Sequence, residues 1–454
     1  MKKLTGLAAL LLTARISFAI PAKPNIIYLL VDDMGFADCG FNGGKEIKTP
    51  NIDALSKQGT IFANYYVQPL CSAARACLLT GRLPIHHGIY GALKVESKFG
   101  LPLDERTLPQ ALHTAGYTTA ICGKWHLGEF APPYRPRQRG FDHQYGLWYG
   151  QIDYFTHRRG GRVDWYRDDK PLDEPGYSTF LIAKEAARII KEQPKDKPLF
   201  LYIPFNAVHG PFQVPESYVE PYKNMRPTRA TMAGMLAAAD EAIGQIVDAL
   251  KASHMDTNTL IIFSSDNGGV QPGVRTMNTP LRDGKGTIYE GGVRSAAFAV
   301  WPGKIPAGKK VTPPVQLADW FPTLVKLTGA DAAQALPVDG KDIMPLLIEG
   351  KAPDRDALLI VGTSPNRMAV RMGDWKLLIN PNHGTRGRKA DPDEADDNTV
   401  TNSQGDVLEL YNLAEDISET KNLAASRPER VKEMRAKMEL LKKGMLPPAN
   451  LREN

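Results

Sequence analysis

Cysteine is scarce in this chain. Only Cys39, Cys71, Cys77 and Cys122 occur among 454 residues, which excludes a small scaffold stapled by disulfides. Long apolar runs are scarcer still: beyond the first nineteen residues none approaches the roughly 20 that a membrane-spanning helix needs. One-sided charge is missing too. The 56 basic residues face 50 acidic ones. Three of the basic ones, Lys2, Lys3 and Arg15, lie in the N-terminal segment, so the remainder carries an excess of only three. That is too small and too dispersed for a nucleic-acid binder, but it is compatible with a locally basic pocket for an anionic ester. No repeat of fixed period is visible, which excludes solenoids and propellers.

Residues 1–19 read as a secretory signal: Lys2-Lys3, the apolar Leu4 to Thr13, then Ser17-Phe18-Ala19 as cleavage site. Export to a periplasm or beyond is therefore expected. The remainder is long enough for a large core and more than one domain. Asn25 to Val31 is a continuous apolar run, as a strand buried on both faces requires. Tyr117 to Cys122, Pro198 to Phe205 and Leu260 to Ser265 are three more. Helices are expected from Pro50 to about Gln58, from Leu108 to Ala115, and from Met232 to Ser253, where apolar residues recur on one face. This alternation predicts an α/β fold with a mainly parallel sheet flanked by helices.

Between Arg135 and Arg229 the chain turns rich in aromatic, Arg, Asp and Pro residues, and reads as loops and short elements laid over a pocket. From Ala357 a smaller α+β unit is expected, with a hairpin over Met368 to Ile379, a strand at Val407 to Tyr411 and a helix from Pro428 to Lys443. Asn380 to Asp406 reads as a mobile loop. The predicted organisation is a leader over 1–19, a main domain over 20–356 and a small C-terminal domain with an antiparallel sheet over 357–454.

Each of the four strands delivers polar residues directly after its carboxyl end, where open α/β sheets build their sites. Asp32 and Asp33 are adjacent carboxylates whose repulsion a bound cation would relieve. Asp266 and Asn267 add a second acid and an amide oxygen, and such hard oxygen ligands suit Ca²⁺ or Mg²⁺ rather than zinc. In Gly123-Lys124-Trp125-His126, alternation puts the lysine and histidine on one face and the tryptophan on the other. Cys71 opens a predicted helix, where unpaired N–H groups favour anions and activate sulfur, and Arg75 adds a cation one turn on. Trp148, Tyr149, Gln151, Asp153, Tyr154 and His157 mix flat rings with hydrogen-bonding groups, a composition suited to stacking on and reading a sugar.

Taken together, CSAARACLLTGR (Cys71 to Arg82) resembles the signature of the type I sulfatases, with Ala73 where most members have proline. GKWHLG around Lys124 and His126, AVHGPF around His209, and RDGKGTIYEGGVR around Lys285 resemble further strings of that family. GQIDYFTH and NTPLRDGKGTIYEGGVR look closest to its arylsulfatase B branch. GDWKLL and ELYNLAEDISETKNLA are similar to its C-terminal domain.

The resemblance implies an alkaline-phosphatase-like core and a sulfuric ester hydrolase. It implies that Cys71 is oxidised to formylglycine by a formylglycine-generating or anaerobic sulfatase-maturating enzyme, leaving Cys39, Cys77 and Cys122 for at most one disulfide. It implies one calcium ion held by Asp32, Asp33, Asp266, Asn267 and the modified residue 71. Lys124 and Lys285 would contact the sulfate, His126 the formylglycine hydroxyl and His209 the leaving-group oxygen, with Arg75 supporting the nucleophile. The expected substrate is a sulfated carbohydrate read by Gln151, Asp153 and His157. A hydrolase of phosphodiesters or phosphonate monoesters, and a non-catalytic binder of sulfated glycans, are the alternative readings.

Overall fold

The computed structural model describes residues 23–95, 97–270, 276–333, 335–382 and 400–451. The leader therefore lies outside the described residues, as does most of the stretch expected to form a mobile loop.

The principal sheet is built from β1 (Asn25–Val31), β2 (Thr60–Tyr66), β3 (Thr118–Cys122), β4 (His143–Gly146), β5 (Leu199–Pro204), β6 (Thr259–Ser265) and β7 (Arg294–Val300). They lie side by side in the order β2-β7-β6-β1-β5-β3-β4, with short strands at both edges. The five strands from β6 to β4 pair in parallel, and β7 runs antiparallel to both β6 and β2. The predicted fold class is thus observed.

Strand periodicity divides β1 between two cores. Ile27, Leu29 and Val31 pack with the helices Ser178–Glu192 and Pro227–Ala252. Ile26, Tyr28 and Leu30 pack, on the opposite face, with the helices Cys71–Thr80, Leu108–His113 and Trp320–Thr328. Burial on both faces is why β1 reads as unbroken apolar sequence. A separate antiparallel sheet joins Leu358–Val361, Met368–Met372, Trp375–Ile379, Val407–Asn412 and Val400–Thr401 in that order, with Pro428–Leu441 packed on it.

One expectation needs correction. The region from Arg135 to Arg229 is not only loops over a pocket. Ser178–Glu192 is a 15-residue amphipathic helix whose Ile182, Ala186, Ile189 and Ile190 enter the core below the sheet. All four cysteines are buried as free thiols, which is compatible with the expectation of at most one disulfide.

Candidate active site

The carboxyl ends of β1, β6, β3 and β5 converge. Asp32 and Asp33 follow β1, Asp266 and Asn267 follow β6, and all four side chains are buried. Arg75, fully buried on the helix Cys71–Thr80, ties the acids together: its Nη2 donates to Asp266 Oδ2 at 2.8 Å and Asp32 Oδ2 at 3.2 Å, and its Nη1 to the Lys124 carbonyl at 2.7 Å. It thereby braces the acids, and its charge is also felt at Cys71. Lys124 Nζ pairs with Asp32 Oδ2. Lys285 Nζ lies 2.6 Å from Asp33 Oδ1. Burial alone would push the Asp33 carboxyl up, but Lys285 and His209 hold it below its usual value.

These acids are the right material for a cation. Asp32 Oδ1 and Asn267 Oδ1 are buried acceptors with no donor. The Asn267 amide is oriented by donating Nδ2 to Asp33 Oδ1 at 2.7 Å, which leaves its oxygen free. Ligand atoms of Asp32, Asp33 and His209 lie within 4.8 Å of one another. Two orphaned oxygens beside such a cluster fit a hard divalent ion.

Cys71 is the first residue of its helix and 2% exposed. Its Sγ is 3.3 Å from His126 Nδ1. Burial pushes the thiol up, only partly opposed by Lys124 and Lys285. The expected activation of sulfur at the helix N-terminus is therefore not what this environment gives: the thiol stays protonated near neutral pH.

His126 Nε2 contacts the Leu93 carbonyl at 2.9 Å. A carbonyl only accepts, so Nε2 carries the proton and Nδ1 presents its lone pair to position 71. Burial, then Lys124, drives this imidazole well below its ordinary pKa, so it is neutral. Gly150 backs the ring; a Cβ there would stand 2.6 Å from His126 Cε1. The intervening Trp125 points away, donating Nε1 to the carbonyls of Tyr134 at 2.9 Å and Gly128 at 3.1 Å, as alternation requires. His209 donates from Nδ1 to the Gly210 carbonyl at 2.7 Å, and its Nε2 stands 3.7 Å from Asp33 Oδ2. Burial, then Lys285, lowers its basicity.

A cavity of about 740 Å³ opens over this group, lined by Asp33, Cys71, His126, His209 and Lys285. Of the three residues expected to read a sugar, Gln151 lines it. Asp153 lines an adjoining depression, but its carboxylate accepts from the Phe155 and Thr156 N–H groups and from Gln213 Nε2. His157 is not brought to the cavity. It is 1% exposed, stacked on Trp165 at 4.6 Å and bonded to the Gly176 carbonyl, so it packs the insertion. Sequence reasoning missed Lys94, Arg159, Phe212 and, from the C-terminal part, Thr363 and Asn382, which also line the cavity. Only Arg159 carried a signal, the RRGGR string.

Comparison with known proteins gives a consistent picture. The family model named Sulfatase matches residues 24–330. Mouse arylsulfatase J is 34% identical over 94% of this chain and 77% of its own length. Human N-acetylgalactosamine-6-sulfatase is 33% identical over 78% of this chain and 71% of its own. The crystal structure of Ps i-CgsB in complex with k-i-k-neocarrahexaose superposes with a TM-score of 0.83 at 33% identity, covering 94% of both chains.

Proposed function

The chain belongs to the sulfatase family and is a sulfuric ester hydrolase, and on that premise we propose that it removes sulfate from a sulfated carbohydrate with an aldehyde formed at Cys71. The observation that carries this reading is one cavity holding Cys71, a neutral imidazole aimed at it, a second imidazole and Lys285 beside a cluster of buried acids. A binder of sulfated glycans needs cations but has no use for paired proton-transfer groups.

A thiol kept protonated by burial is a poor nucleophile. Oxidation of its carbon to formylglycine by a maturation enzyme that supplies the oxidant, with loss of the sulfur, would provide a hydrated aldehyde whose hydroxyl attacks the sulfuryl group. Sγ marks where those oxygens would stand. Asp32, Asp33, Asp266 and Asn267 would hold one Ca²⁺, which when bound supplies charge to acidify a coordinated hydroxyl and offset the charge developing on sulfuryl oxygens.

The remaining work falls to side chains of this chain. Lys124 and Lys285 are the ammonium groups available to the sulfuryl oxygens. Lys285, whose ammonium is kept charged beside Asp33, and His209, once it carries a proton on Nε2, protonate the leaving alcohol. His126, already in the tautomer with Nδ1 free, takes the proton whose loss releases sulfate. Arg75 keeps Asp32 and Asp266 in register throughout.

The carbohydrate assignment is supported by the relatives, one named for N-acetylgalactosamine 6-sulfate and one solved with a hexasaccharide. We further propose export to a periplasm or beyond; among the described residues no helix is long and apolar enough to cross a membrane. The test combines peptide mass spectrometry of the Cys71 fragment with rates on monosulfated galactose and N-acetylgalactosamine and on an aryl phosphodiester. The expected result is an aldehyde at position 71 and release of sulfate from a sugar. An active enzyme with an intact Cys71 thiol would overturn the nucleophile, and faster cleavage of the phosphodiester would move the substrate to a different ester class.

A further inference from the structure

The cavity holds more cationic charge than one sulfate ester needs. Lys285 is paired with Asp33 at its floor, and Lys124, which does not line it, with Asp32. Arg159 belongs to neither the floor nor any ion pair among the described residues, yet it lines both the cavity and the adjoining depression bounded by Gln151, Asp153 and Phe212.

Its position follows from the local sequence. Arg158–Arg159 and Arg162–Val163 form a two-stranded hairpin, pairing Arg158 with Val163 and Arg159 with Arg162. The two connecting residues, Gly160 and Gly161, have φ of 54° and 79°, the left-handed pair that a tight hairpin turn demands and glycine supplies at little cost. Successive strand residues point to opposite faces. Arg158 turns outward and pairs with Asp173 at 2.6 Å. Arg159 turns to the cavity, with its guanidinium 5.9 Å from the centre of the Tyr149 ring.

Asp153, in the same depression, is engaged by the Phe155 and Thr156 N–H groups and Gln213 Nε2, and the two buried acids that sense the Arg159 charge hold their protons tightly. Burial, then Asp164, pushes Glu129 up to about 8, and burial pushes Asp164 up to about 7. A guanidinium close to a ring face, facing a cavity and in no ion pair among the described residues, is suited to receive an anion.

We propose that Arg159 forms a second anion-recognition point, which selects substrates carrying another negative group on a sugar next to the one that is desulfated. The inference rests on the sulfatase reading of the same cavity and deepens it. The shared chemistry is an oxyanion: a second sulfate ester or a uronate carboxylate.

The experiment compares disaccharides that share one scissile sulfate and differ in the neighbouring sugar, which is neutral, sulfated or a uronate. The readout is the ratio of kcat/KM for each charged disaccharide to that for its neutral counterpart. In the unaltered protein the ratio should exceed one and fall with added salt. Arg159→Ala should lower it about tenfold, the scale of one charge-assisted contact, and Arg159→Lys should keep part of it. Loss confined to the sulfated or to the uronate pair identifies the source of the anion. Ratios that Arg159→Ala leaves unchanged for both pairs overturn the proposal. Calorimetric titration of the full chain with the same disaccharides reads the preference without turnover. Absence of sulfate release combined with a binding preference lost in Arg159→Ala would defeat the sulfatase mechanism while retaining the second site.

Discussion

His126 is a buried imidazole and His209 a partly buried one, both of suppressed basicity, but different partners hold them. The Leu93 carbonyl fixes His126 with Nδ1 toward position 71, whereas the Gly210 carbonyl fixes His209 with Nε2 toward Asp33. They should therefore fail differently. His209→Ala should lower kcat on a sugar sulfate by roughly 10²–10⁴, the usual range for a lost general acid. The loss should be much smaller on an aryl sulfate, whose leaving group needs little protonation; equal losses on the two substrates would contradict the role. At this scale the legibility of the sequence varied residue by residue. Lys124 and His126 could be placed on the side opposite Trp125, although His126 itself takes a left-handed backbone (φ 56°) that alternation does not anticipate. His157 could not, because a stack on Trp165 depends on where a distant ring lands, and nothing in GQIDYFTH distinguishes a ring that packs from one that reads a sugar. Arg159 was legible in principle, since Gly-Gly between arginines is a hairpin signal.

The loop carrying Lys285 is an element held from behind. Lys285 N–H donates to the Gly269 carbonyl and Gly286 N–H to the Pro69 carbonyl. Arg282 reaches the Glu419 carbonyl at 2.6 Å and the Tyr411 hydroxyl at 3.0 Å. Where the loop ends, Glu290 and Glu419 share the fully buried Lys376, each at 2.9 Å. Lys376→Met would leave two carboxylates buried with one cation fewer, which costs roughly 3–5 kcal/mol. Thermal unfolding should show that loss, and activity should fall with it because the 282–290 loop loses its anchor. Urea midpoints for the two proteins that agree within error would sink the prediction.

A second element-scale prediction concerns the Trp148–Tyr149 segment, whose N–H groups both donate to Asp164 at 3.0 Å. Burial pushes Asp164 up to about 7 from 3.8. The folded state then binds the proton more tightly than the unfolded state, so stability falls as pH rises between about 4 and 7. Asp164→Asn should flatten the melting temperature across that window, and an unchanged slope would refute it. Among the elements, β1 and β6 were readable because burial on both faces leaves no polar gap. The helix Ser178–Glu192 was masked by its aromatic and proline-rich surroundings, and β2 and β7 by intermixed polar and alanine residues that carry little strand preference.

At the scale of the whole molecule the site is a product of topology. Asp33 and Asp266 stand 233 positions apart, yet the Asp33 N–H donates to Asp266 Oδ1 at 3.3 Å, because β1 and β6 pair in parallel with both carboxyl ends at one edge. We propose that residues 20–356 carry the chemistry and that 357–454 brace it, with Thr363 and Asn382 completing the cavity wall. A cation shared by β1 and β6 would then bind only the folded chain and stabilise it by mass action, by about 2.7 kcal/mol at a free concentration one hundred times its dissociation constant. Chelation followed by dialysis should lower the melting temperature by a few degrees and abolish sulfate release, and added Ca²⁺ should restore both. Asp266→Ala removes a ligand and also the 2.8 Å partner of the buried Arg75, so this variant should melt low with or without Ca²⁺. That insensitivity separates loss of metal from loss of the ion pair, because a variant destabilised only through Arg75 would still gain stability when Ca²⁺ is added. If chelation leaves both rate and melting temperature of the unaltered protein unchanged, the orphaned oxygens of Asp32 and Asn267 have another partner and the metal assignment fails.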